Sequence, residues 1–543
     1  SERALSLGDP RALVYRADGQ RAWVAGMGSN NVVSIDAQGR RVGAPIAVGA
    51  GPVALALDEP RRRLYAWNHF DATLSTIDID GGRELGRVAA FNPLPAAIRA
   101  GRPFLYDTHL TSGLGQASCA SCHVDGRMDH LAWDLGDPSQ PPARFDQNCG
   151  TTLGVTACQD FHAMKGPMTT QTLQDIIGHE PFHWRGDRAG IEAFNPAFHG
   201  LLGDDATLTA TQMQAFENFL ATLAYPPNPF RNLDNSLPTA LALTGHYTSG
   251  RFAMAGLPLG TGNAQAGLVL YSRGLLDAPF QCASCHTLPT GMAVNGPLFL
   301  GNSTFQAGGS IMAPGPLGEN HLGIVSVDGS TNVSIKTPQL RNQYEKVGFE
   351  LTQLSNNAGF GFLHDGSVDS LSRFISARNF SVRSDQDVAD LVALILAFSG
   401  SGFGPANPIL SALPPLSRDS HAAVGAQAGH VGGALSARAA ELLALARNRV
   451  VDLVVHAGRA GHAYDATSDR FLANDGAAPL AVAALQSLAT VDAPQTWTAV
   501  PAGLGRRLGI DRDGDGIGDR AELAQGSDPA DAASSTLRPT AGL

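Results

Sequence analysis

The sequence predicts a mainly α-helical protein: two tandem helical domains, an N-terminal β segment before them and a C-terminal extension after them. Three observations predict this plan. One pentapeptide occurs twice, as Cys119-Ala120-Ser121-Cys122-His123 and Cys282-Ala283-Ser284-Cys285-His286. A pattern of period 42 runs through residues 1–90. An acidic loop from Asp511 to Glu522 stands near the C-terminus.

Each pentapeptide is the C-x-x-C-H signature of covalent haem attachment. Two thiols three residues apart reach the two vinyl groups of one haem. The imidazole that follows, one turn from the first Cys, reaches the iron. A single copy leaves a redox dithiol or half a zinc site open; two identical copies in similar contexts leave those readings little room. The expectation is two covalently bound haem c groups, with His123 and His286 as iron ligands and cytochrome c-like domains around them.

Composition bounds the rest. The chain of 543 residues is too long for one core. It is 43% hydrophobic and only 16% charged, with 62 Gly and 33 Pro, which describes a globular, loop-rich protein. A net charge of −11 argues against nucleic acid and suits a small basic redox protein as electron donor or acceptor. No run of ~18 apolar residues exists, so no transmembrane segment is expected. The start at Ser1 without Met fits a processed or trimmed product.

Cys149 and Cys158 remain after the haem motifs, inside a Gly/Thr/Asn-rich loop. In an oxidising compartment they read as a disulfide, stabilising by roughly 2–3 kcal/mol. Bacterial haem attachment also takes place outside the cytoplasm. Both point to a periplasmic, cell-surface-associated or secreted bacterial protein.

In chain order, the repeat in 1–90 aligns Pro10 with Pro52, Ala12 with Ala54, Trp23 with Tyr65 and Ser34-Ile35-Asp36 with Thr76-Ile77-Asp78. Its short alternating strands and Asp-Gly turns look like β-propeller blades of the YVTN type. Two blades do not close a ring, so either more blades precede residue 1 or these strands pack on the haem domains as a small sheet. The first haem domain is expected at 91–235, with a helix near 207–224 carrying Leu208, Met213, Phe216, Phe219, Leu220 and Leu223 on one stripe. Tyr225-Pro226-Pro227-Asn228-Pro229 ends it as a linker. The second haem domain is expected at 236–408, closing with a helix near 386–398. The extension, 409–543, is expected to be helical over about 435–456. Its acidic loop matches the calcium pattern at every ligand position, Asp511, Asp513, Asp515, Ile517 (backbone), Asp519 and Glu522, with Gly516 at the sixth. Oxygens so dense repel unless a hard cation sits among them, so calcium is expected there in a structural role.

The motifs between 96 and 400 resemble the bacterial di-haem cytochrome c peroxidases, whose relatives include the maturation enzyme of methylamine dehydrogenase and di-haem rubber oxygenases. The lead-in Gly101-Arg102-Pro103-Phe104-Leu105-Tyr106-Asp107 is similar to the family's, as are Lys336-Thr337-Pro338-Gln339-Leu340-Arg341-Asn342 and His364-Asp365-Gly366-Ser367. Lys165-Gly166-Pro167 and Phe182-His183-Trp184-Arg185-Gly186-Asp187-Arg188 look like its Lys-Gly-Pro and Phe-Trp-Asp-Gly-Arg stretches. The resemblance implies that electrons enter at the second haem and that hydrogen peroxide or dioxygen is reduced or activated at the first. It implies Trp184 between the haems and His364 in a structural turn.

Departures from the pattern matter. His162 stands one residue closer to Lys-Gly-Pro than a distal His would, with Met164 and Met168 as other candidates. The acid expected after Asn-Pro is missing, since Asn195-Pro196 leads into Ala197-Phe198-His199; Glu192 is the substitute. Peroxide cleavage needs such a base to move a proton. Phe182, Trp184, Phe194 and Phe198 point instead to an apolar distal pocket. The alternatives are therefore a di-haem oxygenase acting on an apolar substrate and a non-enzymatic electron carrier. At the second haem Arg378 stands where the family has Met, and Met312, His321, His421 or His430 are left as sixth ligands.

Overall fold

The computed structural model describes residues 2–136, 139, 164, 166–180, 182–184, 188, 190–277, 280–292, 323–325, 334–336, 338–349, 356, 359, 361–366, 368–378, 380–403 and 417–534. Cys149, Cys158, His162, Met312 and His321 lie outside the described residues. The chain is not mainly α: helix takes 25% of it and strand 22%. Two features overturn that expectation. The N-terminal strands are eight in number, and the C-terminal extension is built on a sheet of six strands.

The period of 42 becomes two four-stranded antiparallel meanders. The first runs β1 (Pro10–Tyr15), β2 (Arg21–Gly26), β3 (Asn31–Asp36), β4 (Ile46–Ala47); the second runs β5 (Pro52–Asp58), β6 (Arg63–Asn68), β7 (Thr73–Asp78), β8 (Arg83–Ala89). The register repeats as well as the order. Pro10 pairs with Gly26 and Pro52 with Asn68, and each edge has a bulge before its next Ala. Proline is tolerated there because a strand's first residue need not donate to the ladder. Trp23, Val32, Ile46, Leu64, Ala66 and Ile77 fill one shared core. The turn between β2 and β3 then grips the lead-in to the first motif: Thr108 N–H donates to Gly28 O at 2.8 Å and Asn30 Nδ2 to Asp107 Oδ2 at 2.8 Å.

Both haem-motif segments use the same helix pairing. In the first, the helix Ala96–Gly101 packs on Ala210–Leu220, whose Thr209–Gln212 capping box fixes its start. Met213, Phe216, Phe219 and Leu220 are buried there with Phe104 and Leu105. In the second, Ala264–Arg273, capped by Asn263, packs on Asp385–Leu396, capped by Ser384. Glycine makes each crossing close. A Cβ on Gly101 would stand 2.0 Å from Ala215 O, and one on Gly267 would stand 2.1 Å from Asp390 O.

The chain divides into two compact units, Ser1–Tyr225 with Thr239–Arg418, and Pro226–Pro238 with Asp419–Leu543. The proline-rich stretch thus belongs with the extension, where Leu233 packs on the core. The helix expected over 435–456 spans only Ala437–Arg447. Arg449 turns left-handed at φ 59°, and the β-branched run from Val450 continues as the strand Asp452–Ala457. That strand lies inside an antiparallel sheet ordered Gln427–His430, Gln495–Val500, Asp452–Ala457, Ala460–Asp465, Arg470–Ala473, Leu480–Ala481. Among the described residues no helix is long and apolar enough to cross a membrane.

Candidate haem-attachment sites

The two pentapeptides take the same shape. Cys119–Ser121 is one turn of 3-10 helix and Cys282–Cys285 one turn of α-helix. In each, the His N–H donates to the carbonyl of the first Cys at 2.9 Å. The serine of the motif reaches back: Ser121 Oγ accepts from Ser118 N–H at 3.0 Å, and Ser284 Oγ from Gln281 N–H at 3.2 Å. The alanine is buried in both, at 2% and 0% exposure. The serine and the alanine of each motif therefore have local work, which accounts for their identity between the two copies.

The imidazoles are held alike. His123 Nδ1 lies 2.8 Å from Gln171 O. His286 Nδ1 lies 2.7 Å from Gly291 O and 3.1 Å from Pro338 O. A carbonyl only accepts, so Nδ1 carries the proton and Nε2 keeps its lone pair for a metal. Burial, before any neighbour, pushes both imidazoles below the ordinary histidine range, which keeps them neutral as ligands must be. His183 adds to this at His123. Its ring stands edge-on to Phe194 at 4.8 Å.

The thiols do not have the character of a redox dithiol. Among the described residues Cys119, Cys122, Cys282 and Cys285 are unjoined to one another. Burial pushes Cys119 and Cys285 up to about 11 and Cys282 to about 12. A redox dithiol needs the opposite, a thiol pulled down towards the thiolate. The residues present fit a haem at each motif.

The other expected residues are placed as follows. Trp184 is buried, and its Nε1–H donates to Thr169 O at 2.7 Å. Glu192 is exposed on the short helix Ile191–Phe194. Phe182 and Phe198 belong to the core around Ala210–Leu220, with Phe198 edge-on to Phe216 at 6.3 Å. They are packing residues there. His421 and His430 fall in the C-terminal unit, where His421 Nδ1 accepts from Ala423 N–H at 3.2 Å and His430 Nε2 meets Gln486 O at 3.3 Å. His364 offers its backbone carbonyl to Thr169 N–H at 2.7 Å, in keeping with a structural turn.

A buried ionic cluster went unread in the sequence. Asp175 Oδ2 receives Arg341 Nη1, Arg418 N–H at 2.9 Å and His179 Nε2 at 3.2 Å. The Arg341 guanidinium lies 4.5 Å from the centre of the Tyr225 ring. Burial alone would raise Asp175, but His179 and Arg341 hold it below the usual carboxylate range. The cluster ties the segment after the first motif to the one that anchors His286.

In the C-terminal unit, ligand oxygens of Asp511, Asp513 and Asp515 lie within 4.8 Å of one another. Gly516 has φ 97°, as the sharp turn at that position requires. Glu522 is fully buried, and its Oε2 and Asp513 Oδ2 have no hydrogen-bond partner. Burial and then Asp513, Asp515 and Asp519 push Glu522 up to about 7. Asp519 departs from the cluster, since its carboxylate accepts from Arg512 Nε at 2.8 Å.

No protein-family model and no curated protein matches the chain. Among solved structures, a hydrazine synthase of Kuenenia stuttgartiensis is 23% identical over 16% of this chain and 24% of its own, with a TM-score of 0.15. A second structure of that enzyme, under xenon, is 16% identical over 66% of this chain and 99% of its own, at 0.31. A putative 6-phosphogluconolactonase from Bacteroides fragilis is 17% identical over 17% and 30%, at 0.15. The chain thus spans about a quarter of the first of these proteins, and at such TM-scores the likeness establishes neither a shared fold nor a shared activity.

Proposed function

We propose that the chain is an exported di-haem c-type oxidoreductase. A small redox protein delivers electrons at the second site, and hydrogen peroxide or dioxygen is reduced at the first. The carrying observation is the pair of matched motifs, each with its imidazole fixed through Nδ1 to a backbone carbonyl. When bound, each haem supplies an iron for Nε2 and a one-electron couple. Cys119 and Cys122, or Cys282 and Cys285, hold the group covalently. Gln171, Gly291 and Pro338 orient the ligating rings. The described apolar rings near the first motif are largely core residues, which favours small oxidants over a bulky apolar substrate. Asp511, Asp513, Asp515, the Ile517 carbonyl and Glu522 hold a structural calcium, and the orphaned oxygens of Asp513 and Glu522 support it.

The test is turnover. Holoprotein is mixed with a reduced small cytochrome, and its oxidation is followed with and without hydrogen peroxide. Peroxide-dependent oxidation is expected, abolished by His286→Ala. Slow exchange of electrons that peroxide does not accelerate would make the protein a carrier instead.

A further inference from the structure

Two backbone segments anchor the two ligating imidazoles, and each also presents a side chain to the other. On the first, Gln171 O fixes His123, and two residues earlier Thr169 O fixes the Trp184 indole. On the second, Pro338 O meets His286, and eight residues later comes Lys346. Trp184 and Lys346 touch: the ammonium lies 5.1 Å from the centre of the indole ring. Lys346 is only 8% exposed, and among the described residues no carboxylate forms an ion pair with it. Its neighbour Glu345 is taken by Arg127 at 3.1 Å. A buried, uncompensated cation on the face of a buried Trp is a costly arrangement. Nothing in the attachment chemistry calls for it.

We propose that the Lys346 ammonium is a charge gate on Trp184, which relays single electrons between the two sites: the protonated ammonium opposes oxidation of the indole, and loss of that charge speeds the relay. This rests on the two-haem reading above. In one pass the indole gives one electron to the oxidised first site and regains one from the reduced second site. The net electron comes from the small redox protein and goes to peroxide. The indole N–H donates to a carbonyl, which is no base, so the proton stays on nitrogen and the oxidised ring carries a positive charge. Two positive charges this close, away from water, repel. The same ammonium attracts the electron-rich face of the neutral ring. Both effects hold the indole in its reduced form.

Burial lowers Lys346 to about 8. The groups the structure sets against it are Trp184 and His130, whose protonation it opposes; the adjacent Glu345 is paired with Arg127. Tyr344 is pushed up to about 12 by burial and stays neutral. The gate therefore opens as pH rises through about 8.

Stopped-flow absorbance of half-reduced holoprotein reads the inter-site rate across the pH range. The wild-type rate is expected to rise roughly tenfold with a midpoint near 8, the scale of one desolvated cation–π contact. Lys346→Met is expected to be fast and flat with pH. Lys346→Arg, always charged, is expected to be slow and flat. Trp184→Phe is expected to be slow at every pH. A flat wild-type profile overturns the gate without any variant having to fold, and so does a Lys346→Met rate equal to wild type at neutral pH. Haem count separates the two readings: two haems with a flat profile sink the gate alone, and fewer than two remove the reading beneath it as well.

Discussion

Asp175 shows how much one buried side chain carries in this protein. Its carboxylate is 1% exposed and receives Arg341, His179 and the Arg418 N–H together. Removing Arg341 leaves a buried carboxylate without its guanidinium partner. Arg341→Met is therefore expected to cost about 3–5 kcal/mol in thermal or denaturant unfolding. The pairing lowers the Asp175 pKa, so the folded state binds fewer protons than the unfolded one near that range. Its contribution is complete above about pH 4 and is lost as pH falls through the lowered value. Wild type and Asp175→Asn should differ at neutral pH and converge in acid; a difference constant with pH would contradict the assignment. At this scale the sequence made the two attachment motifs legible, because Cys119, Cys122 and His123 stand out by type and spacing. It did not reveal Gln171 or Pro338, whose part is played by a backbone carbonyl that every residue has. Nor did it reveal Lys346, whose letter is the same in solvent and in a core.

Among the elements, the helix crossings and the acidic loop make the sharpest demands. A methyl on Gly101 or Gly267 meets a helix carbonyl at 2.0 or 2.1 Å, so one helix must move off the other. Gly101→Ala and Gly267→Ala are each expected to cost about 1–3 kcal/mol and to lower haem content. Gly200→Ala, which meets nothing within 4 Å, should stay within about 0.5 kcal/mol of wild type. In the loop, carboxylates crowd around orphaned oxygens of Asp513 and Glu522. Chelation of calcium is expected to lower the melting temperature of the C-terminal unit, and Glu522→Gln to weaken calcium binding at least tenfold by calorimetry. No heat of binding at micromolar protein would remove the site. The stripe of Met213, Phe216, Phe219 and Leu220 was readable because one face of a helix meets one core. The helix over 435–456 was overextended because Leu453, Val454 and Val455 are apolar enough for either element. What decides is the left-handed turn at Arg449 and the sheet waiting beyond it, neither of which is local to that pattern.

The whole molecule departs from the mainly α expectation for a related reason. The segments around the two Cys-x-x-Cys-His motifs use short helices, such as Pro103–Tyr106 and Thr108–Thr111, joined by irregular chain. The strands of the two meanders and of the C-terminal sheet then weigh nearly as much as the helices. The period of 42 was visible because side chains repeat along with backbone. The six-stranded order was not, since its neighbours lie far apart in sequence, with Gln427–His430 beside Gln495–Val500. Everything proposed about electrons depends on two covalent haems in one chain. Intact mass with pyridine haemochrome absorbance, on wild type and on the paired variants Cys119→Ala/Cys122→Ala and Cys282→Ala/Cys285→Ala, measures this directly. Two haems are expected in wild type and one in each variant, surviving denaturation. No covalent haem, or bound zinc in its place, would contradict this.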